Sequence, residues 1–398
     1  MALLPVMGTV LILASDSSSL INRFLTQRVL VYIGLISYPL YLWHWPLLSF
    51  AKIIVAEDLN LVIKFSLLAL GFILASLTYQ LFETPIRKQA ASNSLAITLS
   101  TAVGFIAVLG GIVLQQKGLP ARHAFIEGMR ASQEPFRANK DTETGKVCRG
   151  RIIEVDECAI SNPDSPPTIA LIGDSHAGHL FPGLKSILDE RKENLVLLAQ
   201  NGTSPLINVV SKRSPDTTLD HAFNLVLKSP SIHTVILSSF WGNYYEEAGI
   251  ELPDGMYKMV IQDITETKET NQANIFAKAF QRTVETLQAA KKQVIIFYDI
   301  PTLPFRLDMC LPRPIVGAKR KCTFSAELDR TKQQGYRKTL DSVLRKLSPV
   351  QVYDPVPFFC RDNECSVYRD SIILYTNEHH FSAAGSLAFV KQLVLKSN

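Results

Sequence analysis

No cysteine precedes Cys148 in this 398-residue chain, no Cys-x-x-Cys pair occurs anywhere, and no lysine or arginine run is long enough to suggest a nucleic-acid partner. The formal net charge of +5 adds little to that exclusion. The missing Cys-x-x-Cys spacing, with no histidine close to any cysteine except after Cys365, argues against structural zinc. What remains is an even set in local pairs: Cys148 with Cys158, Cys310 with Cys322, and Cys360 with Cys365. Such pairs fit three short-loop disulfides formed in an oxidising compartment.

Charge is also scarce in the first third. Val29 to Phe50, Leu61 to Phe82 and Leu95 to Leu114 are each predominantly apolar. Each is long enough to cross a hydrocarbon layer of about 30 Å. Ala2 to Ala14 resembles the tail of a fourth span. A signal peptide is single and is followed by soluble sequence, so the repetition points to a multi-pass membrane protein. Arg23 and Arg28 lie before the first full span and Arg87 and Lys88 before the last, whereas the intervening loop sets Lys52 against Glu57 and Asp58. The basic loops are expected on the cytoplasmic side, which places everything after Leu114 outside the cytoplasm. The cysteines, all on that side, agree independently.

Residues 115–167 are mixed and charged, are interrupted by Pro120, Pro135, Pro163, Pro166 and Pro167, and read as a linker region tied down by Cys148 and Cys158. Beyond them the runs "TIALIG", "LVLLA", "TVILSSF" and "QVIIFYDI" read as buried strands. Helical patterns lie between and after them, around Leu180 to Glu193, Phe276 to Lys291 and Ala326 to Leu347. The expected fold class is therefore α-helical membrane spans followed by an α/β three-layer domain with a mostly parallel sheet. In "TIALIGDSHAGHL" a strand runs into a tight turn and a helix. Ser175 sits where open α/β sheets place ligands and where free helix amides can stabilise an oxyanion. By itself, Ser175 reads equally as a helix cap.

The "GDSH" block, with "NEHHFSAAG" near the C-terminus, resembles the first and last blocks of the SGNH (GDSL-like) hydrolase family over Thr168 to Asn398. The resemblance implies that Ser175 is the nucleophile and also offers its amide to the oxyanion hole. Gly202 in "AQNGTSPL" and Asn243 in "SSFWGNYY" would complete that hole, although the letters around Asn243 depart from the family pattern. Trp241 beside it reads as a core aromatic. The family's last block is Asp-x-x-His. Aligning "HFS" on its ending makes His380 the general base, leaves His379 as a neighbour, and puts Asn377 where the aspartate belongs. Three outcomes follow: a Ser175–His380 dyad oriented by Asn377 or a backbone carbonyl, a carboxylate recruited from Glu378 or Asp370, or a domain that binds acyl glycans with little turnover.

"IGLISYPLYLWHWPLLSF" (Ile33 to Phe50) and "FETPIRK" (Phe82 to Lys88) are similar to the closing portion of the acyltransferase-3 family of membrane acyltransferases. Members of that family occur fused, through one extra span and a linker, to a periplasmic SGNH domain, and are associated with O-acetylation of bacterial surface glycans, including lipopolysaccharide O-antigen. The division this implies is 1–94 for the last acyltransferase-like spans, 95–114 for the additional helix, 115–167 for the linker and 168–398 for the SGNH-type domain. His44, between Trp43 and Trp45, reads either as a residue of the acyl pathway or as part of an interfacial aromatic belt. The family's catalytic histidine and arginine motifs belong to earlier spans. The expectation is that Met1 is a late start within a longer gene, or that the chain is a remnant served by acyl-donor machinery elsewhere.

The implied activity is O-acyl transfer to a surface polysaccharide through an acyl-serine. The alternatives are a membrane-anchored esterase and a non-catalytic glycan-orienting module. No tightly bound cofactor and no metal are expected; an acyl donor such as acetyl-CoA would act through the missing spans. The expected partners are a surface glycan acceptor, the lipid bilayer and those spans, and the expected location is the bacterial inner membrane with the C-terminal domain in the periplasm.

Overall fold

The computed structural model describes residues 3–15, 19–55, 59–88, 93–116, 148, 155–211, 217–247, 249–253, 255–310, 322–370 and 372–397. The chain divides near residue 122 into two compact units, each described by itself.

The N-terminal unit is helical: α1 (Leu3–Ala14), α2 (Leu20–Leu25), α3 (Arg28–Leu35), α4 (Ser37–Val55), α5 (Leu61–Thr78), α6 (Thr84–Lys88) and α7 (Asn93–Gln115). A π-turn at Tyr79–Glu83 carries α5 into α6, so that Leu61–Lys88 forms one long apolar helix. It and Asn93–Gln115 are the two helices among the described residues long and apolar enough to cross a membrane. Val62, Phe65, Ile97, Val103 and Leu114 are exposed on them, as apolar side chains are when lipid is the solvent. The stretch from Val29 to Phe50 differs from the single span expected, because the chain turns at Ile36 and splits it between α3 and α4. With 12 residues, α1 is shorter than the roughly 20 a span needs. α4 and α5 pack together where Gly71 faces Leu40, Leu47 and the backbone of His44. Trp43 Nε1 donates to Thr78 Oγ1 across that pair (2.9 Å), and His44 Nδ1 lies 3.1 Å from Leu40 O in its own helix.

The second unit is built on a six-stranded sheet. Its strands are β1 (Glu157–Ile160), β2 (Ile169–Gly173), β3 (Leu195–Ala199), β5 (Thr234–Ser238), β9 (Gln293–Phe297) and β11 (Gln351–Tyr353) in the order β1-β3-β2-β5-β9-β11. The short strands between them pair separately: β4 (Val209–Ser211) with β8 (Ile261–Asp263), β6 (Ile250–Leu252) with β7 (Gly255–Tyr257), and β10 (Thr323–Ser325) with Glu364–Ser366. All pairings in the large sheet are parallel except β1 with β3. The four expected strands are β2, β3, β5 and β9; β1 lies inside the stretch read as linker.

The inner strands read as unbroken apolar runs because both faces of the sheet are covered. Ala170, Ile172, Val196, Leu198, Val235 and Leu237 face one core with Phe276, Phe280 and Val284. Ile169, Leu171, Leu195, Leu197 and Ile236 face another with Leu184, Ile187 and Phe389. The first layer contains helices Thr218–Lys228, Gln272–Ala289 and Ala326–Leu344; the second contains Phe181–Glu190 and Ala383–Ser397. The three disulfides join Cys148 to Cys158, Cys310 to Cys322 and Cys360 to Cys365.

Candidate active site

The C-terminal ends of the central strands are level: Gly173 of β2 pairs with Ala199 of β3 on one side and Ser238 of β5 on the other. A side chain at Gly173 would put its Cβ 1.7 Å from the Ser238 carbonyl oxygen, so only glycine lets β2 turn there. Asp174 then caps the short helix Ser175–Gly178 by accepting from the His176 amide (2.8 Å). Its buried carboxylate also accepts from Ser239 Oγ (2.8 Å), Phe240 N (3.0 Å) and the Tyr244 hydroxyl (2.9 Å). One carboxylate thereby ties the turn carrying Ser175 to the loop after β5.

The last block reaches the same place from the other end of the chain. Tyr375 bridges Phe381, and Thr376 N donates to His380 O (3.0 Å), so residues 376–380 form a tight loop. Ser382 ends it by accepting from Gly385 N (2.9 Å) as cap of the final helix. Within the loop, Asn377 Oδ1 accepts from the backbone amides of His379 (3.1 Å) and His380 (2.9 Å), which identifies that atom as the oxygen. The same oxygen lies 3.0 Å from His380 Nδ1, which therefore carries the ring proton. His380 Nε2 is left with its lone pair 2.8 Å from Ser175 Oγ. Ser175 and His380 are both partly exposed.

Glu378 points elsewhere: its carboxylate accepts from Leu307 N at 3.1 Å. Asp370 is exposed in the turn between Tyr368–Arg369 and Ile372–Ile373. Neither carboxylate replaces Asn377 at His380. Gly202, with φ +68°, lies in the turn after β3, and Asn243 is buried in the short helix Trp241–Tyr245 after β5. Each follows one of the two strands flanking β2, and neither is hydrogen-bonded to Ser175 among the described residues. Among the described residues the Asn243 Oδ1 is buried without a hydrogen-bond partner. Trp241 is fully buried, donates to Phe297 O (2.8 Å) and packs edge-on against Phe276 and Phe280.

Sequence reasoning missed the remainder of the cluster. His176 Nδ1 lies 3.2 Å from Asp299 Oδ1, just past the end of β9, and His176 Nε2 lies 3.1 Å from His379 Nδ1. Phe240 stacks on the rings of both His176 (4.7 Å) and His379 (4.9 Å), and His179 Nδ1 accepts from Phe381 N at 3.3 Å. The signal for Asp299 was its place after a strand of the parallel sheet, where ligand sites form. Burial first, then the neighbouring histidines, holds His380 and His179 well below the usual histidine range. His379 is pushed down to about 2 by burial, with His176 adding to it. Burial pushes Asp299 up, opposed by its contact with His176. At neutral pH, His380 is thus an uncharged base facing a serine hydroxyl. Among the described residues, His176, His379 and His380 also form the one group dense enough in ligand atoms to hold a metal ion.

The SGNH domain (fused to AT3 domains) family model matches residues 140–394, well over half of the chain. The O-acetyltransferase OatA of Staphylococcus aureus is 35% identical over 81 residues, which is 20% of this chain and 13% of that protein. The chain thus matches a small part of the length of that curated relative. Among solved structures, the periplasmic domain of a lipopolysaccharide acetyltransferase from Salmonella ser. Paratyphi A aligns with 69% of this chain and 96% of its own, at 13% identity and a TM-score of 0.45. A GDSL-like lipase from Bacteroides thetaiotaomicron aligns with 58% of this chain and 88% of its own, at 11% identity and a TM-score of 0.30.

Proposed function

The chain belongs to the SGNH domain family of the kind fused to AT3 domains, and from that premise we propose that it transfers an acyl group, taken to be acetyl, through Ser175 onto a hydroxyl of a bacterial surface polysaccharide such as lipopolysaccharide O-antigen. The observation that carries this reading is the continuous path from Ser175 Oγ to His380 Nε2 (2.8 Å) and from His380 Nδ1 to Asn377 Oδ1 (3.0 Å). The O-acetyltransferase name of the partial relative supports acetyl as the group moved.

In the first half-reaction His380 Nε2 takes the Ser175 proton while Oγ attacks the donor's acyl carbon. The donor's leaving group departs with that proton, and the acyl group stays on Ser175. In the second, His380 removes the proton from a glycan hydroxyl, whose oxygen attacks the acyl-serine; Ser175 regains its proton as the ester leaves. Dividing one acyl transfer into two steps replaces a single high barrier with two lower ones. The Ser175 amide, the Gly202 amide and the Asn243 side chain would hold the oxyanion in both steps. Asn377 fixes the tautomer of His380 but brings no charge to stabilise its protonated form. The acyl donor, with acetyl-CoA as its source, would be served by further acyltransferase spans. The domain would work in the periplasm of a membrane-bound protein, a location that three disulfides favour.

The full chain in detergent is expected to hydrolyse a nitrophenyl acetate and, given an acceptor polysaccharide, to leave ester-linked acetate on it, with Ser175→Ala losing both. Equal turnover by parent and Ser175→Ala overturns the assignment of the nucleophile. Release of acetate with none on any polysaccharide identifies an esterase instead.

A further inference from the structure

We propose that His176, His379 and His380 form a binding site for a divalent transition metal such as Zn2+, and that metal bound there switches Ser175 off. One ring nitrogen from each histidine lies within 4.8 Å of those of the other two. Two of these are already close to chelating distance: His176 Nε2 and His379 Nδ1 are 3.1 Å apart. Zinc–nitrogen bonds of about 2.0–2.1 Å at a tetrahedral angle separate their nitrogens by roughly 3.4 Å.

The neighbours of the rings prepare the ligand atoms. A metal-binding histidine ordinarily gives its other ring proton to a carboxylate or carbonyl. Here Asn377 Oδ1 faces His380 Nδ1 at 3.0 Å, which leaves the lone pair on His380 Nε2. Asp299 Oδ1 lies 3.2 Å from His176 Nδ1 without good hydrogen-bond geometry, and the carboxylate's charge favours the His176 ring proton on that side, with the lone pair on Nε2. His379 Nδ1 is then the donor in the contact with His176 Nε2. Moving that proton to its own Nε2 frees Nδ1 as the third ligand, with no net release of a proton. Phe240, stacked on both His176 and His379, keeps those two rings in place. His380 is the ligand that must shift, by up to about 1.4 Å, to bring nitrogens within 4.8 Å of one another to the tetrahedral spacing. The fourth position falls to Ser175 Oγ, 2.8 Å from His380 Nε2, or to water. The site opens through Ser175 and His380, the two partly exposed members.

The consequence rests on the reading of His380 as general base. Its Nε2 lone pair would either accept the Ser175 proton or bind the metal, and cannot do both. Among the described residues the His379 side chain hydrogen-bonds to His176 and not to Ser175, His380 or Asn377, although its ring packs on that of His380, and metal binding gives this second histidine of the pair a use. Sequence reasoning expected no metal on the spacing of the cysteines; these ligands are histidines 203 and 204 residues apart, counting from His176 to His379 and His380.

The test uses the full chain in detergent with Co2+ as probe, because tetrahedral cobalt absorbs in the visible and reports binding without any turnover. The expected result is a saturable one-to-one visible band that Zn2+ displaces and that His379→Gln weakens at least tenfold in affinity. In parallel, the rate of nitrophenyl acetate hydrolysis with micromolar Zn2+ is divided by the rate without it for each protein. The parent is expected to lose at least nine-tenths of its rate and to regain it with EDTA, and His379→Gln to need at least tenfold more Zn2+. Absence of the band, or equal Zn2+ sensitivity of parent and His379→Gln, overturns the proposal. If the parent hydrolyses nothing, the cobalt titration still decides the site, so failure of the site and failure of the proposed function are distinguishable.

Discussion

Asn377 contributes only hydrogen bonding where the family pattern has an aspartate. Its Oδ1 accepts from two backbone amides and faces His380 Nδ1, so the tautomer and the ring orientation are set without a charge. What is missing is stabilisation of the imidazolium in the transition state; in the serine-protease template, loss of the aspartate costs about ten-thousandfold in turnover. A carboxylate at this position keeps the same three donors. Asn377→Asp is therefore expected to raise kcat of ester hydrolysis at least tenfold, about 1.4 kcal/mol, and an unchanged rate would show that another group already supports His380. The pH profile gives a second readout. Burial and the neighbouring histidines lower the His380 pKa, so the acid limb of kcat/KM is expected below the usual 6.5 of histidine. A negative charge beside the ring favours its protonated form, so Asn377→Asp is expected to move that limb to higher pH. His380→Ala is expected to abolish turnover and His379→Ala to retain it, since His379 bonds to His176 and not to Ser175. The reverse outcome would place the base one residue earlier.

Single strand ends and turns decide whether these side chains meet. The Gly173 turn is the tightest point: β2 and β5 approach so closely that an added Cβ would lie 1.7 Å from backbone oxygen. Backbone cannot swing aside as a side-chain tip can. Gly173→Ala is expected to destabilise the outer domain by at least about 3 kcal/mol, at or beyond the upper end of ordinary overpacking, and to remove esterase activity with it. Urea denaturation followed by circular dichroism measures this, and an unchanged midpoint would contradict the closeness of the two strands. The elements also show where local pattern falls short. The run from Val29 to Phe50 is apolar throughout and reads as one span, yet the chain turns at Ile36. Hydropathy counts side chains and does not register a backbone turn. Likewise β1 is short, lies among charged and proline-containing sequence, and is ordered by pairing with β3.

At the scale of the molecule the cysteines report on compartment. In the chain-entropy model, loops of this size make each disulfide worth roughly 2–3 kcal/mol to the folded outer domain. Peptide mapping without reduction is expected to return Cys148 with Cys158, Cys310 with Cys322 and Cys360 with Cys365. Dithiothreitol is expected to lower the domain's melting temperature by several degrees; free thiols in the purified protein, or other pairings, would remove the argument for an oxidising location.

The amino-acid order alone determined what depends on neighbours in the chain. Unbroken apolar runs specified a doubly covered parallel sheet, because strands buried on both faces have no polar side to show. The strand-turn-helix at Gly173 to Ser175 put Ser175 at the end of β2, where a cap and a nucleophile read alike; resemblance to the SGNH blocks proposed Ser175 as nucleophile and, through the Asn377-x-x-His380 spacing, His380 as base with Asn377 as its partner. Only the tertiary structure decided what depends on long-range approach. It directed Glu378 to the Leu307 amide and away from His380. It gave Asp174 four donors from two segments. It joined Asp299, His176 and His379, which three separate elements contribute. No local pattern encodes those meetings, because their distances follow from how β2, β9 and the last loop converge at the C-terminal ends of the strands.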